Sequence, residues 1–149
     1  MKAAVFAGVG QPLRIEHVPD PQPGPDEVAL RVERCGICAS DLHLTSQPVD
    51  LFPPGAILGH ELAGEIVAIG KRVAGLRVGD HVIPHPARGC GRCAECGSGH
   101  PFWCGQFAPN MGGYAEYMLS SASVCIPMPS NMPLQTQRSS SRCPSVCAP

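Results

Sequence analysis

Two groups of metal-ligand residue types stand out in this chain, and they differ in kind. The first is Cys90-x2-Cys93-x2-Cys96-x7-Cys104, four thiols within fifteen residues. Four thiolates complete a tetrahedral Zn2+ shell and leave no position for a substrate. Gly89, Gly91, Gly97 and Gly99 interleave these cysteines and permit the tight turns that bring them together. An iron–sulfur cluster is the alternative reading of such a run. Ferredoxin runs, however, close with a three-residue gap and a proline, whereas seven residues precede Cys104. The expected role is structural, supplying on the order of 10 kcal/mol of folding energy when zinc binds.

The second group is more open. Cys38 is followed by Ser40, Asp41 and His43, and further along the chain comes Gly59-His60-Glu61. One thiolate, one imidazole and one carboxylate leave a coordination position for water or an alcohol. Zn2+ in such a site lowers the pKa of a bound hydroxyl. Cys38 and His60 are the expected ligands, and Glu61 either ligates or supports from behind. Asp41 is expected to accept the other N–H of His60 and fix its tautomer. The released proton needs a route to water, and Ser40 and His43 are spaced to pass it by hydroxyl and then imidazole.

These residues need a scaffold, and the sequence predicts a mainly β one. Seventeen glycines and seventeen prolines would suit a disordered chain. Here they punctuate short β-branched runs, the pattern of a many-stranded β domain. Strands are predicted over 3–6, 13–18, 27–33, 65–70, 81–84, 114–119 and 123–127. In the third of these Val28, Leu30 and Val32 share one face. Helical signal is thin, a turn or so from Cys38 to Leu44 with Ser40 near its start.

Length and charge bound the function. A chain of 149 residues makes one domain and buries roughly two-thirds of its unfolded surface. A net charge of −1 gives no reason to expect nucleic acid or an anionic membrane as partner. No apolar run approaches the roughly 18 residues of a membrane span, and no secretory signal opens the chain. Nine unevenly spaced cysteines without an export signal favour metal binding in a cytoplasmic protein over a disulfide framework.

Taken together, the motifs resemble those of a known family. Cys35-Gly-Ile-Cys-Ala-Ser-Asp-Leu-His43 resembles the catalytic-zinc segment of the zinc-dependent medium-chain alcohol and polyol dehydrogenases. Gly59-His60-Glu61-x2-Gly64-x5-Gly70-x2-Val73 is similar to their zinc signature, and Cys90 to Cys104 to their structural zinc loop. Gly79-Asp80-His81-Val82 and Gly112-Gly113-Tyr114-Ala115-Glu116-Tyr117 fit smaller motifs of the family. The resemblance, nearest the sorbitol and threonine dehydrogenases, covers residues 1–134. It implies a GroES-like, partly open β-barrel with a structural zinc lobe. It also implies one catalytic and one structural zinc, with Cys38, His60 and Glu61 at the first and Ser40 and His43 as relay. The substrates implied are small alcohols and polyols, oxidised by hydride transfer to NAD(P).

The sequence departs from the family in two respects. No G-x-G-x-x-G run follows a strand, so the Rossmann domain that holds NAD(P) is read as absent from these residues. Residues 135–149 form an irregular tail rich in serine and arginine. Suitable synonymous codons for Thr136 to Ser145 read, two bases along, as Ala-Ala-Leu-Ile-Glu-Pro-Leu-Ser-Val. That is the kind of segment relatives carry here, so a shifted reading frame near Gln135 or Thr136 is the expectation, with a natural divergent tail as the alternative.

Two functions follow. The chain is read first as the N-terminal catalytic domain of an NAD(P)-dependent zinc dehydrogenase, truncated and inactive by itself. Its apolar docking face would then favour homo-oligomers or aggregation. The other reading is a stand-alone zinc-binding β module, a scaffold or metal buffer without catalysis.

Overall fold

The computed structural model describes residues 1–46 and 52–129. Its centre is a five-stranded antiparallel sheet in the order β8-β3-β4-β5-β9. These strands are β3 (Glu27–Gly36), β4 (Glu61–Ile69), β5 (His81–Pro84), β8 (Tyr117–Ser121) and β9 (Cys125–Pro127). A ribbon of β1 (Lys2–Val5) and β2 (Arg14–His17) joins through bridges Ala3–Ala115 and Val5–Ile57. A second small ribbon, β6 (Ala87–Arg88) with β7 (Ala108–Pro109), flanks the lobe that carries the four cysteines. The described strands form open sheets and do not close a barrel, so the expected fold is present in its open form.

Hydrophobic alternation explains the core. Val28, Leu30, Leu62, Ile66 and Val82 are fully buried, with Met118, Cys125 and Leu76 packed among them. Each such large side chain contributes roughly 1.5–3 kcal/mol by leaving water. Val32, expected on the Val28–Leu30 face, packs against this cluster.

The strand predictions erred mainly at the ends. β3 runs three residues beyond the expected Glu33, and β4 starts at Glu61, four residues before the expected Glu65. Alternation is lost there, because cross-strand pairing rather than pattern holds those residues in the ladder. The helix after Cys38 is α1 (Ala39–Ser46), two turns rather than one. In the cysteine lobe a short helix, α2 (Ala94–Gly97), and a 3₁₀ turn (Pro101–Trp103) were not legible from periodicity. The expected domain boundary at 134 and the tail 135–149 lie outside the described residues.

Candidate metal centres

The open site is assembled by strand pairing. Gly36, the last residue of β3, pairs with Glu61, the first of β4. Cys38 lies two residues past one strand end, and His60 lies one residue before the other. Residues distant in the chain therefore meet at one sheet corner. The donor atoms of Cys38, His60 and Glu61 all lie within 4.8 Å of one another.

Behind His60 stands Asp41, 4% exposed. Its Oδ1 faces His60 Nδ1 at 3.5 Å, longer than a formed hydrogen bond, and both atoms are buried without another partner among the described residues. The expected pairing of Asp41 with the second nitrogen of His60 is thus present in placement, and Nε2 is the nitrogen left to face a metal. Asp41 Oδ2 accepts the Cys38 N–H at 2.9 Å and the Tyr114 O–H at 2.8 Å. Burial raises the Asp41 carboxyl, but His60, the Cys38 N–H and the Tyr114 O–H outweigh it and hold the pKa below its ordinary value. Asp41 foremost, with Cys38 alongside, lifts His60 to about 9 against the opposing effect of burial. This pairing of acidic, anionic and imidazole groups fits Zn2+: a divalent cation would satisfy a soft thiolate, a carboxylate and a backed imidazole in one place.

Gly59 lets the parts approach. Its φ is +87°, and a Cβ there would come within 2.6 Å of the Tyr114 ring and 2.9 Å of Cys35 Sγ. Only glycine combines that backbone with that space. Cys35 itself is half-buried, and burial followed by the nearby Asp41 pushes its thiol up to about 12. It is a packing residue.

Ser40 and His43 both lie on α1, Ser40 partly buried and His43 exposed. Among the described residues no side-chain hydrogen bond joins them to each other or to the ligand set. Tyr114 is the residue sequence reasoning missed. The Gly-Gly-Tyr motif contained it, but nothing in the motif said that its hydroxyl would reach Asp41. Beside the site lies a cleft of about 480 Å³, its lining including Leu13, Ile37, Leu42 and Tyr114. Ile37 and Leu42 are 75% and 65% exposed, an apolar surface next to Cys38.

The closed site is more compact in sequence. The sulfurs of Cys90, Cys93, Cys96 and Cys104 lie within 4.8 Å of one another. Backbone N–H groups point at them: Cys90 and Gln106 donate to Cys104 Sγ at 3.3 Å, and Cys96 donates to Cys93 Sγ at 3.4 Å. The N–H groups of Arg92 and Cys93 lower the Cys90 thiol to about 6. At Cys93 the Cys96 N–H acts in the same sense, but desolvation and the adjoining sulfurs prevail and push it to about 12. Sulfurs held this close, with donors arranged for thiolates, fit a tetrahedral cation. A Cβ at Gly89 would lie 2.4 Å from Cys96 Sγ, so the turn that seats the cluster requires glycine. The seven described cysteines form no disulfide.

An antiparallel β domain with one four-sulfur site and one mixed, open site defines the class. A family model described as the alcohol dehydrogenase GroES-like domain matches residues 24–130, and the chain belongs to that family. It is 35% identical over 144 residues to an L-threonine 3-dehydrogenase of Stenotrophomonas maltophilia, covering 89% of this chain and 41% of that protein. The chain thus spans about two-fifths of the length of the curated relatives it matches. Among solved structures, the alcohol dehydrogenase of Aeropyrum pernix superposes with a TM-score of 0.84 at 33% identity, covering 93% of this chain and 42% of that one. Galactitol-1-phosphate dehydrogenase of Escherichia coli gives 0.82 at 30% identity, covering 93% and 41%. No helix among the described residues is long and apolar enough to cross a membrane.

Proposed function

We infer that this chain is the catalytic domain of a zinc-dependent, NAD(P)-linked alcohol or polyol dehydrogenase, N-terminal in the whole enzyme. The reading rests on one observation: the donor atoms of Cys38, His60 and Glu61 converge at a sheet corner with Asp41 set behind the imidazole. Those three residues would hold the catalytic zinc, and Cys90, Cys93, Cys96 and Cys104 a structural one. When bound, the catalytic zinc supplies a Lewis acid that polarises the alcohol oxygen. Cys38 contributes negative charge, and His60, oriented by Asp41, contributes a neutral nitrogen. Tyr114 and the Cys38 N–H keep Asp41 ionised and in place. Ser40 and His43, on the helix that leads from Cys38 outward, carry the alcohol proton to water.

The substrate is a small alcohol or polyol, and the apolar cleft with Leu13, Ile37 and Leu42 accommodates its carbon skeleton or a docked domain. The hydride acceptor is a nicotinamide dinucleotide. A Sinorhizobium meliloti protein that this chain resembles, with a TM-score of 0.77 at 33% identity, was solved bound to NADP. No dinucleotide fingerprint occurs in the present sequence, so the chain by itself is expected to hold zinc without turnover. The cytoplasm is the expected location.

Metal content tests the reading. Wild-type protein is expected to hold zinc at both cysteine-containing sites, with Cys38→Ser and Cys93→Ser each losing a different ion. Adding a dinucleotide-binding domain from a relative is expected to give NAD(P)-dependent alcohol oxidation in wild type and none in Cys38→Ser. Unchanged zinc content in Cys38→Ser overturns the proposal. Both cysteine-containing sites filled with no turnover in the complemented protein favour the stand-alone module.

A further inference from the structure

Three more donor residues meet on the central sheet, and none belongs to either cysteine-containing site. Glu33, Glu65 and His81 each present a ligand atom, all within 4.8 Å of one another. The sheet puts them there by register. Glu65 pairs directly with Arg31 on one side and with His81 on the other. The pairs on either side of Glu33 are Val32–Gly64 and Arg34–Ala63, so Glu33 is the extra residue of a β-bulge. Alternation puts Glu33 on the same face as Arg31, the partner of Glu65, and the bulge leaves Glu33 without a cross-strand partner of its own.

The group is not closed by its own contacts. His81 Nε2 reaches Glu33 Oε1 at 3.3 Å. Arg31 is ion-paired with Glu65. Glu33 Oε2 is buried with no hydrogen-bond partner among the described residues. A charged His81 therefore leaves half of the Glu33 carboxylate unanswered, because its Nε2 is directed to the other oxygen. A cation that takes both carboxylates answers it. Two carboxylates offset by one guanidinium leave a net negative charge facing the imidazole. The Glu65 and His81 side chains are 25% and 39% exposed, which gives an ion a route in from solvent.

The geometry points to a third metal site, in which Glu33, Glu65 and His81 bind one divalent cation of borderline character such as Zn2+. The imidazole favours Zn2+ over Mg2+ or Ca2+, and the two oxygen donors distinguish the site from the thiolate clusters. Its consequence is structural: the ion would tie β3, β4 and β5 together across the bulge.

The test uses the full chain and Zn2+ as probe. The protein is equilibrated at micromolar free Zn2+ and its metal counted by mass spectrometry, alongside NMR of the histidine rings. Wild type is expected to hold one zinc more than Glu33→Gln and one more than His81→Gln. The His81 ring signals should shift as that last equivalent is added, while those of the exposed His17 stay in place. Equal zinc content in wild type and both variants overturns the proposal. Unmoved His81 signals in wild type overturn it too, and that readout holds even if a variant fails to fold.

Discussion

The Tyr114 hydroxyl donates to Asp41 Oδ2 at 2.8 Å, linking the loop before β8 to the first turn of α1 across 73 residues of sequence. Through Asp41 this bond reaches His60. Tyr114 is therefore a positioning residue, acting on the candidate ligand through the carboxylate. Tyr114→Phe is expected to lower stability by about 1–3 kcal/mol, since it takes a donor from a buried, charged acceptor. Chelator competition should show weaker zinc binding at the open site with the four-sulfur site unaffected. Unchanged affinity would show that Asp41 needs no support from the tyrosine.

Asp41→Asn tests the next link. Groups that orient metal-binding histidines typically account for 10–100-fold in affinity, and a loss of that order is expected at the open site alone. The amide keeps the size of the side chain and removes its charge. A variant with wild-type zinc affinity would separate Asp41 from the metal.

Gly59→Ala asks what the close approach of the two motifs is worth. The new Cβ would meet the Tyr114 ring at 2.6 Å in a backbone with φ of +87°. Overpacking costs about 1–3 kcal/mol, and left-handed backbone adds about 1–2 kcal/mol for a residue with a side chain. Urea unfolding should show the sum as a lower midpoint. A midpoint equal to wild type would mean that the loop yields freely.

Removing zinc from the cysteine lobe should be visible in one fluorophore. Trp103 is the sole tryptophan, it adjoins Cys104, and it is 79% exposed. Chelation or Cys104→Ser is expected to change its emission and open the lobe to proteases, since the sulfurs and the N–H groups aimed at them would lose their common centre. An emission spectrum indifferent to chelator would argue for a lobe held by packing alone.

Thiol reactivity has a definite pH direction. Burial raises both Cys35, to about 12, and Cys125. A raised pKa keeps the thiol protonated and unreactive at neutral pH, with reactivity growing as pH climbs toward it. In zinc-stripped protein, iodoacetamide at pH 7 is expected to label Cys90 well before Cys35 or Cys125, as peptide mass mapping would show. Early labelling of Cys35 would contradict its packed position.

Much of the candidate chemistry was legible in the residues themselves. Four cysteines within fifteen residues can meet through local turns, so spacing was enough to foresee their cluster. Alternation likewise marked the core of β3, because burial of one face writes a period of two, and β5 reads as a short, more fully buried strand. Strand ends, the bulge at Glu33 and the role of Tyr114 were not legible. They depend on which strand lies beside which, and that is a non-local matter.

The sequence by itself determined the ligand types, the four-sulfur site and a mainly β fold, since each follows from local spacing and hydrophobic pattern. Tertiary structure alone decided that Gly36 pairs with Glu61, which carries Cys38 to His60, and that the pairing of β3, β4 and β5 brings Glu33, Glu65 and His81 together. Register is a property of two strands together, fixed by the core that both of them bury, and no single stretch of chain records it.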